Sequence, residues 1–140
     1  DITEHGKIWS YEDIGRSIST VSIADGRIYI ADESGRVHCL DADTGKLYWM
    51  HDARCDIWAS TLVADGKVYV GTRRSLCVLT AGKEKKMLAE VRLGSQVRST
   101  PAVADGVLYV ASQRYLWAIE LNKPRGLAGG RSGYAGRNGG

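Results

Sequence analysis

Five arginines are the residues of this sequence best suited to bind another molecule. They fall between apolar segments in the second and third parts of the chain: Arg54, Arg73, Arg74, Arg98 and Arg114. A guanidinium group presents a planar fork of donors that fits a carboxylate in two parallel hydrogen bonds. The five arginines are therefore a candidate rim that binds an anionic segment of a partner. A solvated loop surface is the alternative interpretation, since arginine is commonly exposed.

The histidines and cysteines do not form a recognisable catalytic or metal-binding pattern. The cysteine count is odd and no CxxC spacing occurs, which argues against both a zinc site and a disulfide framework. The residues concerned are His5, His38, His51, Cys39, Cys55 and Cys77. Most acidic residues fall in predicted turns, where Asp has a backbone role. We therefore predict no catalytic, cofactor-binding or metal-binding residues.

The elements that position the arginines are set by a phrase that occurs three times. Ala24–Ile30, Ala64–Val70 and Ala104–Val110 share an Ala-Asp-Gly start and a Tyr, and each begins 40 residues after the last. Asp-Gly between β-branched runs is a strong signal for a two-residue hairpin turn. A fixed period of this length indicates a repeat architecture.

Each repeat contains enough β-type segments for four strands. A third apolar run follows each hairpin, and a turn at residues 41–46 leads to a fourth. Lys7–Tyr11 matches the fourth segment of the first repeat and is predicted to be a lone outer strand, which gives twelve strands in all. Four strands in about 40 residues form the blade of a β-propeller. The predicted fold is all-β: a partial β-propeller of three four-stranded antiparallel blades.

Charge and composition divide the chain into two parts. Residues 1–121 form the predicted three-blade segment, and residues 122–140 form a Gly/Arg-rich tail. The tail holds four of the 19 basic residues and no acidic residue, so the net charge of +3 becomes −1 without it. The near-neutral body is accordingly not expected to bind nucleic acid, and the short basic tail alone is weak evidence for it. No apolar run is long enough to predict a transmembrane segment.

Two motifs resemble the quinoprotein-like (PQQ-type) repeats of β-propellers. One is Asp41-x-x-Thr44-Gly45-Lys46-x-x-Trp49, which resembles the tryptophan-docking motif of those repeats, and the other is Thr100–Val110. The resemblance covers residues 6–121. It implies that Trp9 and Trp49 pack between neighbouring blades.

The resemblance implies two classes of function. The first is a non-catalytic scaffold or protein-interaction module, as in outer-membrane assembly lipoproteins and in extracytoplasmic sensor domains of bacterial kinases. The second is part of a PQQ- and calcium-dependent quinoprotein dehydrogenase, so whether the protein is an enzyme is uncertain, with a non-enzyme favoured. We expect no cofactor under the first interpretation, and PQQ with calcium only under the second. The family resemblance also implies a bacterial protein with a periplasmic or other extracytoplasmic location.

Three blades are too few for a closed ring, because propellers contain roughly four to eight. We therefore expect a protein partner, further propeller blades or a second copy of this chain to cover the two open sides. In a pair of copies, Lys7–Tyr11 of one would complete the third blade of the other.

Overall fold

The computed structural model describes residues 2–121 and is almost entirely β-structure. Within this part of the chain one short helix, α1 (Ile2–His5), precedes eleven strands. The strands are β1 (Ser22–Ala24), β2 (Arg27–Ala31), β3 (Arg36–Asp41), β4 (Leu47–Asp52), β5 (Leu62–Ala64), β6 (Lys67–Gly71), β7 (Leu76–Thr80), β8 (Met87–Val91), β9 (Ala102–Ala104), β10 (Val107–Ala111) and β11 (Leu116–Glu120). No helix among the described residues is long and apolar enough to cross a membrane.

The strands form three antiparallel sheets, and within each sheet every strand pairs with its neighbour in sequence. Blade 1 contains β1 to β4, blade 2 contains β5 to β8, and blade 3 contains β9 to β11. The predicted all-β segment of three consecutive blades is confirmed, with four, four and three strands in the described chain.

The three Asp-Gly pairs form the tight turns that the repeat predicts. Asp25, Asp65 and Asp105 have φ angles of 48°, 50° and 50°, and the glycine after each is also in the left-handed region. Two consecutive residues with positive φ match the right-handed twist of the flanking strands. Each turn therefore joins the first and second strands of a blade in the same register.

Two apolar cores lie between successive blades rather than within any one sheet. Side chains alternate between the two faces of a strand, so each blade can contact a neighbour on both sides. Tyr29 and Cys39 of blade 1 pack with Val68 and Leu79 of blade 2. Blade 2 uses its other face, including Tyr69, to pack with blade 3. The blades thus stack side by side, as they do in a propeller.

Small hydroxyl residues join the inner strands of the three blades. The Thr20 N–H donates to Ser60 Oγ at 2.8 Å, and the Ser60 N–H donates to Thr100 Oγ1 at 3.3 Å. Each donor and acceptor are 40 residues apart, so the same bond is repeated from blade to blade. Ser22 also lies 2.8 Å from Thr61, hydroxyl to hydroxyl. The short side chains allow the backbones near the axis to approach closely.

The prediction of an outer strand at Lys7–Tyr11 is wrong, and the described chain has eleven strands where twelve were predicted. Residues 6–21 carry no strand in the structure. A strand needs a paired neighbour, and the described part of the chain provides no blade before blade 1. Trp9 nevertheless lies in its expected place, against the turn at Ala42 and Gly45. The predicted tail at residues 122–140 lies outside the described residues, as does any fourth strand of blade 3.

Candidate functional site

Three arginines converge on a cleft at the junction of blades 2 and 3. The cleft has a volume of about 490 Å³. Arg73 and Arg74 come from the loop between β6 and β7, and Arg92 directly follows β8. Gly94, Ser95 and Gln96 complete the lining. All three arginine side chains are exposed, so the cleft presents a concentrated positive charge to solvent.

A buried threonine fixes the loop that carries Arg73 and Arg74. Thr72 is 1% exposed, and its Oγ1 accepts hydrogen bonds from the Arg74 N–H at 3.1 Å and the Ser75 N–H at 2.9 Å. The same hydroxyl donates to the Ser75 carbonyl at 3.0 Å. A short polar side chain that bonds its own loop holds a tight turn in place. The loop backbone is therefore preorganised while the arginine side chains stay in solvent.

The other wall of the cleft is held between two loops. The Val97 N–H donates to the Thr72 carbonyl at 3.2 Å, and the Gln113 N–H donates to the Gln96 carbonyl at 2.9 Å. Val97 is buried and lies against Gly71, where a Cβ atom would overlap with Val97 Cγ1. The absence of a side chain at Gly71 thus sets how closely this wall approaches blade 2.

Arg98 lies beside the cleft and is joined to it through Gln96. Gln96 Oε1 accepts hydrogen bonds from Arg98 Nε at 3.0 Å and from Arg98 Nη2 at 2.7 Å. The guanidinium also lies 5.5 Å from the ring centroid of Trp58, which is 45% exposed. A cation over an aromatic face is a favourable contact. Arg98 and Trp58 therefore extend the polar cleft by a flat, partly apolar surface.

The structure separates the five arginines that the sequence groups together. Arg73 and Arg74 line the cleft, and Arg98 adjoins it. Arg54 and Arg114 lie on nearby loops but do not line the cleft. Arg54 has a φ angle of 55°, and its N–H donates to Asp52 Oδ1 at 2.7 Å, so it belongs to a local turn.

Arg92 lines the cleft and was missed by the sequence analysis. It stands 40 residues after Asp52 and 80 after Glu12, so the repeat position changes from acidic to basic in the third copy. Alignment of the three repeats, with the charge compared at each position, would have revealed this change.

The positive charge of the cleft is little neutralised by acidic neighbours. Arg73 lies 3.9 Å from Asp56, but both side chains are more than half exposed, so the ion pair is weak. Within residues 2–121, Arg74 and Arg92 form no ion pair.

A buried polar chain in blade 1 was also missed. His38 Nε2 lies 2.9 Å from Asp32 Oδ2, and His38 Nδ1 lies 3.2 Å from the Tyr11 hydroxyl. Asp32 and His38 are 0% and 1% exposed. Burial alone would raise the pKa of Asp32, but hydrogen bonds from Ser34, His38 and two backbone N–H groups outweigh it and lower that pKa to about 2.

This polar chain fastens the N-terminal segment to blade 1. The Gly15 N–H donates to Asp32 at 3.1 Å, and the Tyr11 hydroxyl contacts His38. The buried pair of Asp32 and His38 therefore holds the N-terminal segment at two points. The positions that correspond to Asp32 and His38 in blade 2 are Thr72 and Cys77. Among the three described blades the network therefore occurs only in blade 1, where it holds the N-terminal segment in place.

The packing between blades that the resemblance implies is confirmed for Trp49, and Trp9 makes the same docking contact on blade 1 from the N-terminal segment, which belongs to no described blade. Trp49 Nε1 donates to the Gly82 carbonyl of blade 2 at 2.8 Å, and Trp9 Nε1 donates to the Ala42 carbonyl of blade 1 at 3.0 Å. Each pair is 33 residues apart. A Cβ on Gly45 would lie 2.5 Å from Trp9 Cε3, so the indole ring rests on the glycine turn. Trp9 thus takes the place that a preceding blade would fill.

The acidic side chains of residues 2–121 do not gather into a cluster of the kind that holds calcium. Calcium takes six to eight oxygen ligands, several of them carboxylates. In residues 2–121 no group of three or more His, Cys, Asp or Glu side chains is placed to hold a metal ion. Asp25, Asp65 and Asp105 are instead committed to hairpin turns.

Comparisons with known proteins agree with this architecture. Residues 3–83 match a PQQ-repeat family described as outer membrane protein assembly factor BamB. BamB from Moraxella catarrhalis has a similar structure, with a TM-score of 0.72 and 23% identity over 81% of this chain and 36% of that one. No curated protein sequence matches the chain.

Two further solved structures share the fold. A quinohemoprotein alcohol dehydrogenase, ADHIIG from Pseudomonas putida HK5, has a TM-score of 0.66 and 24% identity over 79% of this chain and 20% of that one. The computationally designed protein Ika8 has a TM-score of 0.60 and 15% identity over 74% of this chain and 33% of that one. The chain spans little more than a third of the BamB structure, and likenesses at this level of identity show the fold alone.

Proposed function

The chain belongs to the PQQ-repeat family described as outer membrane protein assembly factor BamB, and on that premise we propose that it is a non-catalytic β-propeller scaffold that binds a protein partner. Further blades or a second copy would complete the ring. A periplasmic or other extracytoplasmic location follows from the same family membership as part of the proposal.

The cleft at Arg73, Arg74 and Arg92 carries the proposal. Three guanidinium groups on a preorganised backbone suit an acidic segment, because each can form paired hydrogen bonds to a carboxylate. The adjacent pair of Trp58 and Arg98 offers a flat surface for an apolar or aromatic side chain of the same segment. Aromatic residues and arginine are the residue types that most often dominate binding energy at protein interfaces.

Affinity for an acidic peptide tests this proposal. The probe is a fluorescein-labelled peptide that contains a run of glutamates and one tyrosine, and its glutamine counterpart is the charge control. We expect binding of the glutamate peptide to weaken at least tenfold in Arg73→Ser/Arg74→Ser/Arg92→Ser. We also expect the salt dependence of binding to become shallower, since fewer charges remain to be screened.

A variant of equal charge separates the cleft from general electrostatics. Lys46→Ser/Lys85→Ser/Lys86→Ser also removes three positive charges, but from the turns at the opposite end of the strands. We expect this variant to bind the peptide almost as the unmodified chain does. Equal loss in both triple variants would refute the cleft proposal. Tighter binding of a single-stranded oligonucleotide than of the peptide would refute a protein partner.

The quinoprotein dehydrogenase interpretation has one supporting observation, the fold similarity to ADHIIG. Its test is reconstitution of the protein with PQQ and calcium. Bound-quinone absorbance together with dye-linked alcohol oxidation would support the enzyme interpretation and contradict the scaffold proposal. We expect neither signal from this chain.

A further inference from the structure

The Gln96 side chain holds Arg98 by one edge of its guanidinium group. Gln96 Oε1 accepts hydrogen bonds from Arg98 Nε at 3.0 Å and from Arg98 Nη2 at 2.7 Å. A guanidinium has donors and no acceptor, so the oxygen of the Gln96 amide, rather than its nitrogen, must face Arg98. Nε and Nη2 form the side edge of the guanidinium, which would otherwise present two parallel donors to a carboxylate. Gln96 therefore occupies that edge with a neutral acceptor.

The backbone that carries Gln96 is anchored to two other loops. The Gln96 carbonyl accepts a hydrogen bond from the Gln113 N–H at 2.9 Å, and the next residue, Val97, donates its N–H to the Thr72 carbonyl at 3.2 Å. Val97 is 1% exposed and belongs to the core between blades 2 and 3. Because the backbone is held in this way, Gln96 is a fixed support for the Arg98 side chain.

Arg98 is held against Trp58 of the preceding repeat. The two residues stand 40 apart and so occupy the same position in successive repeats, which brings their side chains together where blade 2 meets blade 3. The guanidinium carbon lies 5.5 Å from the Trp58 ring centroid, and both side chains are exposed. A guanidinium stacks on aromatic rings as well as pairing with carboxylates. With its side edge taken by Gln96, Arg98 keeps an open face for stacking.

The arginines of the cleft differ from Arg98 in this respect. Within residues 2–121, Arg74 and Arg92 form no ion pair, so they stay available to carboxylates. Gln96 lines the cleft beside them and also holds Arg98. The surface thus has one part suited to carboxylates and one part suited to an aromatic ring, and Gln96 joins the two.

We propose that Gln96 is a positioning residue that sets the specificity of the cleft. By holding Arg98 against Trp58, it favours an acidic segment with an aromatic residue next to its carboxylates over a segment that is acidic alone. Without this contact, Arg98 would add a fourth cation for carboxylates, and the preference for an aromatic residue would be lost. This role rests on the proposed binding of an acidic partner at the cleft.

Two fluorescein-labelled peptides test this role. Each contains the same run of glutamates, followed by a tyrosine in one peptide and by an alanine in the other. We expect the unmodified chain to bind the tyrosine peptide about fivefold more tightly, because a ring stacked on a guanidinium is a favourable contact. In Gln96→Met, which removes the acceptor but nearly keeps the size of the side chain, we expect the two affinities to become equal.

Gln96→Glu separates this role from a purely structural one. A carboxylate at this position still accepts both hydrogen bonds from Arg98, so the preference for the tyrosine peptide should remain. Its negative charge lies at the arginine cleft, so both peptides should bind more weakly than they bind the unmodified chain. Gln113→Met is the matched control, because it replaces an exposed glutamine of the neighbouring loop, and it should change neither affinity.

Several outcomes would overturn the role of Gln96 while leaving the arginine cleft intact. They are equal binding of both peptides by the unmodified chain, an unchanged preference in Gln96→Met, and loss of the preference in Gln113→Met. Trp58→Ala should equalise the two affinities as Gln96→Met does, and a preference that persists in Trp58→Ala would contradict stacking at this surface. Failure of the unmodified chain to bind either peptide would refute the proposed function together with this role.

Discussion

The three cleft arginines are positioned by the backbone beneath them, because their side chains stand in solvent. Thr72 holds the loop of Arg73 and Arg74, and Val97 anchors the wall that follows Arg92. Sequence analysis could place Arg73 and Arg74 in one loop because that loop lies between two clear strands. Arg92 reaches the same cleft because β8 pairs with β7 and sets Val91 opposite Leu76, at the end of the loop that carries the other two arginines.

Gly71→Ala tests whether the close approach at Val97 sets the shape of the cleft. The new Cβ would overlap with Val97 Cγ1, so we expect the connection between blades 2 and 3 to shift and the free energy of unfolding to fall by about 1–3 kcal/mol. Peptide affinity at the cleft should fall with it. Gly82→Ala is the control, because its nearest neighbour lies 4.0 Å away. Equal stability and affinity of the two variants would contradict this account. Urea denaturation and the peptide titration supply the measurements.

Asp32 should make the fold sensitive to acid. Its pKa falls from 3.8 to about 2 in the folded chain, so the folded state binds fewer protons than the unfolded state over this range. The stabilisation is complete above pH 3.8 and is lost as the pH falls towards 2. Asp32→Asn should lower the free energy of unfolding at neutral pH by about 3 kcal/mol and flatten its dependence on pH in this window. Exposed Asp43→Asn is the control, and an Asp32→Asn profile parallel to that of the unmodified chain would contradict the prediction.

The strand hairpins were the most predictable elements, and the N-terminal segment was the least. An Asp-Gly turn depends on two adjacent residues, so the three hairpins follow directly from the sequence. Lys7–Tyr11 has the same residue pattern as an outer strand but no paired neighbour in the described chain. Its tryptophan docks as expected because that contact needs only the turn at Ala42 and Gly45. Local signals therefore predicted the turns and the docking, and failed where a strand depends on a partner.

Trp49 should contribute more to stability than the other tryptophans named here, because it joins two blades. It is 6% exposed, its indole donates to Gly82 of blade 2, and its ring lies 6.1 Å from that of Tyr29. Trp49→Ala should lower the free energy of unfolding by about 3–5 kcal/mol. Trp58→Ala, at a 45% exposed position, should lower it by less than about 1 kcal/mol. Equal urea midpoints for the two variants would contradict the docking role.

At the scale of the whole molecule, the 40-residue period predicts the blades but not what completes them. Repetition specifies how one blade packs on the next, and the two filled junctions confirm that packing. It carries no information about the number of blades in the finished ring. That number depends on contacts at Tyr109, Leu116 and Ile23, which the described chain leaves exposed. The position of the cleft, between blades 2 and 3, is compatible with closure at the other two faces.

Nuclear magnetic resonance mapping of the peptide site tests the central claim most directly. In a titration with the glutamate peptide, we predict chemical-shift changes at the side-chain Nε–H groups of Arg73, Arg74 and Arg92 and at the amides of residues 94–96. Smaller changes are expected at Arg98 and the Trp58 indole, and none at the Asp-Gly turns on the opposite end. Changes centred on those turns, or no changes with the glutamate peptide, would contradict a scaffold that binds acidic partners at this cleft.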